Sequence, residues 1–125
     1  MKYTQEPKVK HNNRKIGTSY EVIARKYLEE IGYNILYMNY RCKSGEIDIV
    51  AIDSEYVVFV EVKYRKTALF GYPRESVNYY KQKRIIAVAK YFLLTQKLTH
   101  KNCRFDVVEI LDDQITHIKN AFTEG

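Results

Sequence analysis

No window of the sequence approaches the ~20 apolar residues of a membrane span. The opening stretch, MKYTQEPKVKHNNRK, is polar and basic where an export signal would carry an apolar core. A cytoplasmic location and no membrane partner are the expectation. Cysteine is scarce: Cys42 and Cys103 stand alone, with no CxxC and no Cys/His cluster, which argues against a zinc site. In a reducing compartment both are expected to be free thiols. The histidines, His11, His100 and His117, fall in a tail, a loop and an expected edge strand, so no Ser/His/Asp or Cys/His set can be assembled. There is no GxGxxG or Walker A motif, hence no nucleotide cradle. Repeats and low-complexity segments are also missing.

What is present suits one domain with its own core: 125 residues, 46% of them hydrophobic. Acids are outnumbered. The net charge is +6 and the pI about 9.2, which favours a polyanionic partner. Lys2, Lys8, Lys10, Arg14 and Lys15 crowd the first residues against Glu6. Residues 1–14 are therefore expected to be a flexible basic arm, and residues 15–125 a single domain. A second basic run, YRKTALFGYPRESVNYYKQKR, spans residues 64–84 and interleaves Arg65, Lys66, Arg74, Lys81, Lys83 and Arg84 with tyrosines. Cations can meet phosphates and aromatic rings can stack on unpaired bases. A solvated basic surface with half-buried tyrosines would read the same way.

Hydrophobic spacing gives the elements. In IGTSYEVIARKYLEEIG the residues Tyr20, Ile23, Ala24, Tyr27, Leu28 and Ile31 follow the i, i+3, i+4, i+7 pattern of an amphipathic helix, with Gly32 as its stop. Residues 33–40 read as a strand. Residues 46–53 and 56–63 read as a hairpin with a tight turn. Residues 64–76 read as a loop, 77–95 as a second helix with the row Ile85, Val88, Ala89 and Phe92, 102–111 as a strand, and 114–122 as an edge strand. Continuous apolar strands imply a sheet covered on both sides, so a mixed sheet with a helix on each face is expected.

The charges within the hairpin stand out. GEIDIV carries Asp48, and VFVEVK carries Glu61 and Lys63. Alternation of side chains puts Glu61 and Lys63 on one face. A turn pairing Asp53 with Tyr56 puts Asp48 opposite Glu61 and Glu46 opposite Lys63. Like charges facing each other across strands destabilise a sheet, more so when dehydrated. A hard divalent cation resolves the conflict. Mg²⁺, or Mn²⁺ in its place, is commonly held by one or two carboxylates, waters and substrate phosphate oxygens. Lys63 could orient a bound water or neutralise charge on a reacting phosphate. Taken singly, Lys63 at a frayed strand end or Asp48 bonded to loop amides would also fit.

Two roles fit Glu21. It flanks the apolar face of the first helix and could reach the sheet, or it could close a capping box with Thr18 in TSYE. Lys81 and Gln82, at the start of the second helix, could point toward the same site or form an exposed basic first turn. Lys83 projects outward.

Gly17 with Glu21, GEIDIV, VFVEVKYR, KQKR and RFDVV occur in the order seen in the YraN family of small bacterial proteins, which this chain resembles over roughly residues 15–120. That resemblance implies a Holliday-junction-resolvase-like fold of the PD-(D/E)xK nuclease superfamily. The fold class would be α/β, a restriction-endonuclease-like αβββαβ core. The resemblance also implies a metal-dependent phosphodiesterase site. Carried over, Glu21 is the acid of the first helix, Asp48 the motif aspartate, and Glu61 and Lys63 the ExK pair. Lys81 and Gln82 fall at polar positions of the second helix. Ile47 stands where the motif's proline would be, and NYY at 78–80 replaces a proline-containing segment.

Two functions follow. One is a metal-dependent endonuclease cutting DNA, branched or flapped, with Glu21, Asp48, Glu61, Lys63 and Gln82 catalytic and Asp48 and Glu61 binding the metal. The other is a non-catalytic nucleic-acid-binding module on the same fold. A homodimer would suit a two-fold symmetric junction.

Overall fold

A computed structural model describes residues 15–65 and 77–124. The chain runs α1 (Lys15–Glu30), β1 (Asn34–Cys42), β2 (Gly45–Asp53), β3 (Tyr56–Arg65), α2 (Tyr79–Thr95), β4 (Asn102–Leu111) and β5 (Gln114–Phe122). The strands lie in the order β1-β2-β3-β4-β5. Only β3 and β4 run parallel; the other neighbours are antiparallel. This is the mixed α/β arrangement expected, with a restriction-endonuclease-like order of elements.

Each helix covers one face. Ala24 and Leu28 of α1 pack with Ile35, Met38, Ile49, Ala51, Val58, Val60 and Val108. Ile85, Val88, Ala89 and Phe92 of α2 pack with Leu36, Val50, Val57, Phe59, Phe105 and Val107. The Phe92 ring meets Tyr37, Tyr40 and Phe59 edge-on at centroid distances of 5.5, 5.0 and 5.8 Å. Such pairs contribute about 0.5–1.5 kcal/mol each beyond burial, so α2 is pinned firmly over β1–β3.

Helix α1 departs from the expectation at two points. It begins by Lys15, so Thr18 is a residue within the helix and not its N-cap. Its buried stripe is also narrower, since Ile23 and Ile31 are 41% and 44% exposed. Gly32 ends it as expected. At φ +102° the glycine turns the chain, Tyr33 N–H donates to Leu28 O and Gly32 N–H to Glu29 O. Helix α2 starts at Tyr79, two residues later than its pattern suggested, because the Asn78 side chain accepts from Lys81 N–H and caps it.

Besides a register shift between Ile35 and Tyr37 of β1, the pleat of β1 and β2 resets at one further place. Tyr37 and Tyr40 both pack toward α2 while Met38 packs toward α1, and Ile47 and Val50 both face α2 while Ile49 faces α1. The skipped residues are Asn39, at φ +58°, and Asp48 opposite it. This local reset takes Asp48 out of the regular alternation. No helix among the described residues is long and apolar enough to cross a membrane.

Candidate active site

Strand β3 has two different neighbours. Its parallel ladder with β4 runs the whole way from Tyr56 to Arg65. The antiparallel ladder with β2 follows the register expected from the turn, Asp53 with Tyr56 and Ile52 with Val57, but stops at Ile49 with Val60. Asp48 and Glu61 would be the next pair. Instead the strands part there, and the Asp48 carboxylate takes over the missing ladder bond, accepting from Val62 N–H at 2.8 Å. Glu46 does not pair with Lys63. It faces Arg41 on β1, with Arg41 Nε 3.4 Å from Glu46 Oε1.

The gap between β2 and β3 opens into a cavity of about 250 Å³ lined by Glu21, Glu46, Asp48, Glu61, Lys81, Arg84 and Ile85. Helix α1 contributes Glu21 from one side of the sheet and α2 contributes the two cations from the other. Four carboxylates against two cations make the cleft acidic in a protein of net charge +6. Stacking of Tyr20 on Tyr64, centroids 3.8 Å apart and planes at 14°, ties the start of α1 to the end of β3. Glu21 is thereby held at the cleft, and of its two readings the structure supports the one in which it reaches the sheet.

Electrostatics follow the geometry. Burial, and next the charge of Glu61, push the Asp48 carboxyl well above the ordinary range, with Glu21 adding to the effect and the Val62 amide opposing it. Lys81 Nζ lies 2.6 Å from Glu61 Oε2, whose carboxylate is almost wholly buried. Burial pulls the Lys81 ammonium down, but its bond to Glu61 and the charges of Glu61 and Asp48 outweigh this and hold it above the usual value. Lys63 goes the other way: burial and then the Lys81 charge lower it, against the pull of Glu61. Two carboxylates and two ammoniums thus converge where the ladder ends.

The donor set suits a hard dication. Among the described residues, no group of three or more Asp, Glu, His or Cys side chains is placed to hold a metal by protein ligands alone. Two carboxylates with room for water and phosphate oxygens are the usual Mg²⁺ arrangement. Asp48 and Glu61 would be its ligands.

Of the other expected site residues, Gln82 donates through Nε2 to the carbonyl of Val77 at 2.9 Å, tying down the entry to α2. Arg84 lines the cleft. Lys83 is exposed, its Nζ 5.4 Å from the centroid of Tyr79. Arg65 Nε lies 3.3 Å from Glu109 Oε2, and Glu109 is buried beside Lys63 in the β3–β4 register. Lys8, Lys10, Arg14, Lys66 and Arg74 lie outside the described residues, as does the side chain of Lys15.

Sequence reasoning missed a second polar centre. The buried Asp106 accepts from Arg104 Nε at 2.9 Å and from the backbone N–H of Asn120 at 3.0 Å. Its other oxygen accepts from Tyr33 Oη at 3.2 Å and lies 2.7 Å from His117 Nε2. His117 Nδ1 is in turn 3.1 Å from Tyr27 Oη. An aspartate in the apolar run FDVVEIL was the available signal.

The profile of the uncharacterised protein family UPF0102 matches residues 20–110. A UPF0102 protein of Lachnoclostridium phytofermentans is 52% identical over 112 residues, covering 88% of this chain and 95% of the relative. One of Clostridioides difficile is 47% identical over 113 residues, 89% of this chain and 99% of the relative. One of Saccharophagus degradans is 45% identical over 115 residues, 91% and 96% respectively. The matched span takes in every residue that lines the cleft and four of the five strands up to Ile110, and on these likenesses the chain belongs to the UPF0102 family, the YraN family that its motifs resemble.

Proposed function

We propose that the cleft is the site of a metal-dependent phosphodiesterase that cuts DNA. The observation that carries this is the ending of the β2–β3 ladder one pair short of Asp48 and Glu61. The buried carboxylate of Glu61 and the half-buried one of Asp48 are brought together there, beside Lys63 and Lys81, at an open cavity. A structural role would favour pairing those strands to their ends and avoiding the like charges.

Asp48 and Glu61 would hold a Mg²⁺ or Mn²⁺ ion, which would supply an activated water and neutralise charge on the phosphate. Lys63, its ammonium lowered by burial and by Lys81, orients the attacking water or meets a phosphate oxygen. Glu21 sits across the cleft to accept a proton or a water's hydrogen bond. Arg84, with Lys81 once it leaves Glu61, binds the phosphate that enters.

One observation favours a second reading. Lys81 already neutralises Glu61, as it would in a nucleic-acid-binding module without catalysis. The deciding experiment is cleavage of linear duplex, single-stranded and four-way-junction DNA with Mg²⁺, Mn²⁺ or EDTA, beside Glu61→Gln. Metal-dependent cutting that the variant loses supports the nuclease. DNA binding without cutting on any substrate supports the module.

A further inference from the structure

Tyr79 and Tyr80 are the two most exposed aromatic side chains among the described residues, at 62% and 76%. They stand together, ring centroids 5.6 Å apart and planes at 76°. Neither packs into the core. Large exposed aromatics side by side cost solvation and usually mark a contact surface.

Their place on α2 ties them to the cleft. Residues four apart share a helix face. Tyr80 is therefore one turn ahead of Arg84, which lines the cleft, and Tyr79 is one turn ahead of Lys83, whose ammonium lies over its ring. Lys81, next in the chain, bridges to Glu61 inside the cleft. The ring pair thus stands on the first turn of α2 just outside the residues that line the cavity, as a lip on the α2 side.

The charge around the rings points to the occupant. Helix α2 carries Lys81, Lys83 and Arg84 in its first two turns and no acidic residue at all. Cations at a helix N-terminus oppose the helix dipole and destabilise the helix. A polyanion lying across that turn would remove the conflict. A polyanion that also offers flat apolar faces is a nucleic acid with unpaired bases, whereas duplex bases stack on one another and leave no base face free for a ring.

We propose that Tyr79 and Tyr80 are a stacking platform for the unpaired bases next to the phosphate entering the cleft. The preferred ligand class is then single-stranded or flapped nucleic acid rather than continuous duplex. The inference rests on the nuclease reading only for the position of that phosphate.

The test is binding in EDTA, which separates it from catalysis. Fluorescence anisotropy compares a labelled oligo-thymidine with a duplex of equal length, for the wild-type protein and for Y79A/Y80A. The expected result is a wild-type preference for the single strand that falls about tenfold or more in the variant, with duplex affinity nearly unchanged. The Y79F/Y80F protein, which keeps both rings, retains the preference. No wild-type preference, or a preference that survives loss of both rings, overturns the proposal. So does a loss of preference accompanied by a shift in sedimentation, which would assign the lip to a second copy of the chain. If the preference behaves as expected but no DNA is ever cut, the platform stands and the nuclease reading falls.

Discussion

The ammonium of Lys81 lies 2.6 Å from Glu61 Oε2, on the carboxylate that would otherwise face Asp48 across the cleft. On the proposed reading a divalent cation held by Asp48 and Glu61 would have to displace this lysine, and the displaced ammonium would become free to meet phosphate. Lys81→Met should then tighten Mn²⁺ binding in the absence of DNA, by about fivefold if the half-exposed ion pair contributes ~1 kcal/mol. The same change should weaken DNA binding. Calorimetric titration with Mn²⁺ and anisotropy with DNA give the two numbers. Metal affinity that stays level or drops would show that Lys81 does not compete for Glu61.

Asp48 carries a carboxyl of raised pKa in the cleft. Burial and the Glu61 charge raise its carboxyl, so between the unfolded value and the raised folded value the native state holds the extra proton. Stability of the metal-free protein therefore falls as pH climbs through that window. Asp48→Asn has no charge to lose, and its amide oxygen can still accept from Val62 N–H. Without metal the variant should melt above wild type at neutral pH, and the gain should shrink as the buffer is made acidic. Cleavage should drop to background. A variant that melts lower at neutral pH would mean that the charge of Asp48 stabilises the fold.

Asp106 shows the opposite sign. Burial pushes its carboxyl up, but hydrogen bonds from His117, Arg104 and the Asn120 amide, with the Arg104 charge, outweigh this and hold it at about 2. The native state binds its proton less readily than the unfolded chain. The resulting stability, on the order of 2 kcal/mol, is fully present above the ordinary carboxylate value and is lost as pH falls toward 2. Asp106→Asn should remove that acid-sensitive part and leave Arg104 short of a partner, at a total cost of about 3 kcal/mol. Mn²⁺ affinity should not change, because Asp106 bonds Tyr33, Arg104 and His117 and does not line the cleft. Chemical denaturation at neutral and acid pH measures the first effect, and a change in metal binding would show that the two centres are coupled.

The difference between these two acids marks how far the sequence was legible. Asp48 and Glu61 could be related from a turn length alone, since the pairing of Asp53 with Tyr56 carries the register to Ile49 and Val60. The parting of the strands at the next pair could not, because alternation assumes an unbroken pleat and Asn39 resets it. Asp106 draws its partners from Arg104 on its own strand, from Tyr33 after α1 and from His117 and Asn120 on β5, and no local pattern joins Tyr33 and His117 to it. Thr18 and Glu21 left two readings open for a related reason. A capping box is a local motif, and an upstream extension of the helix dissolves it.

The extension of α1 past Thr18 gives Glu21 a different support, the stack of Tyr20 on Tyr64. If that stack positions Glu21, Tyr20→Ala should lower the cleavage rate at saturating DNA while KM and Mn²⁺ affinity stay near wild type, since Asp48, Glu61 and the basic lip are untouched. The stability cost should be modest, about 1 kcal/mol for one lost aromatic pair. Tyr20→Phe keeps the ring and should restore the rate. A purely structural tyrosine would instead lower the melting temperature with turnover per folded molecule unchanged. Equal rates for the alanine and wild-type proteins, measured well below the melting temperature, would remove Glu21 positioning from the mechanism and leave the stack as packing alone.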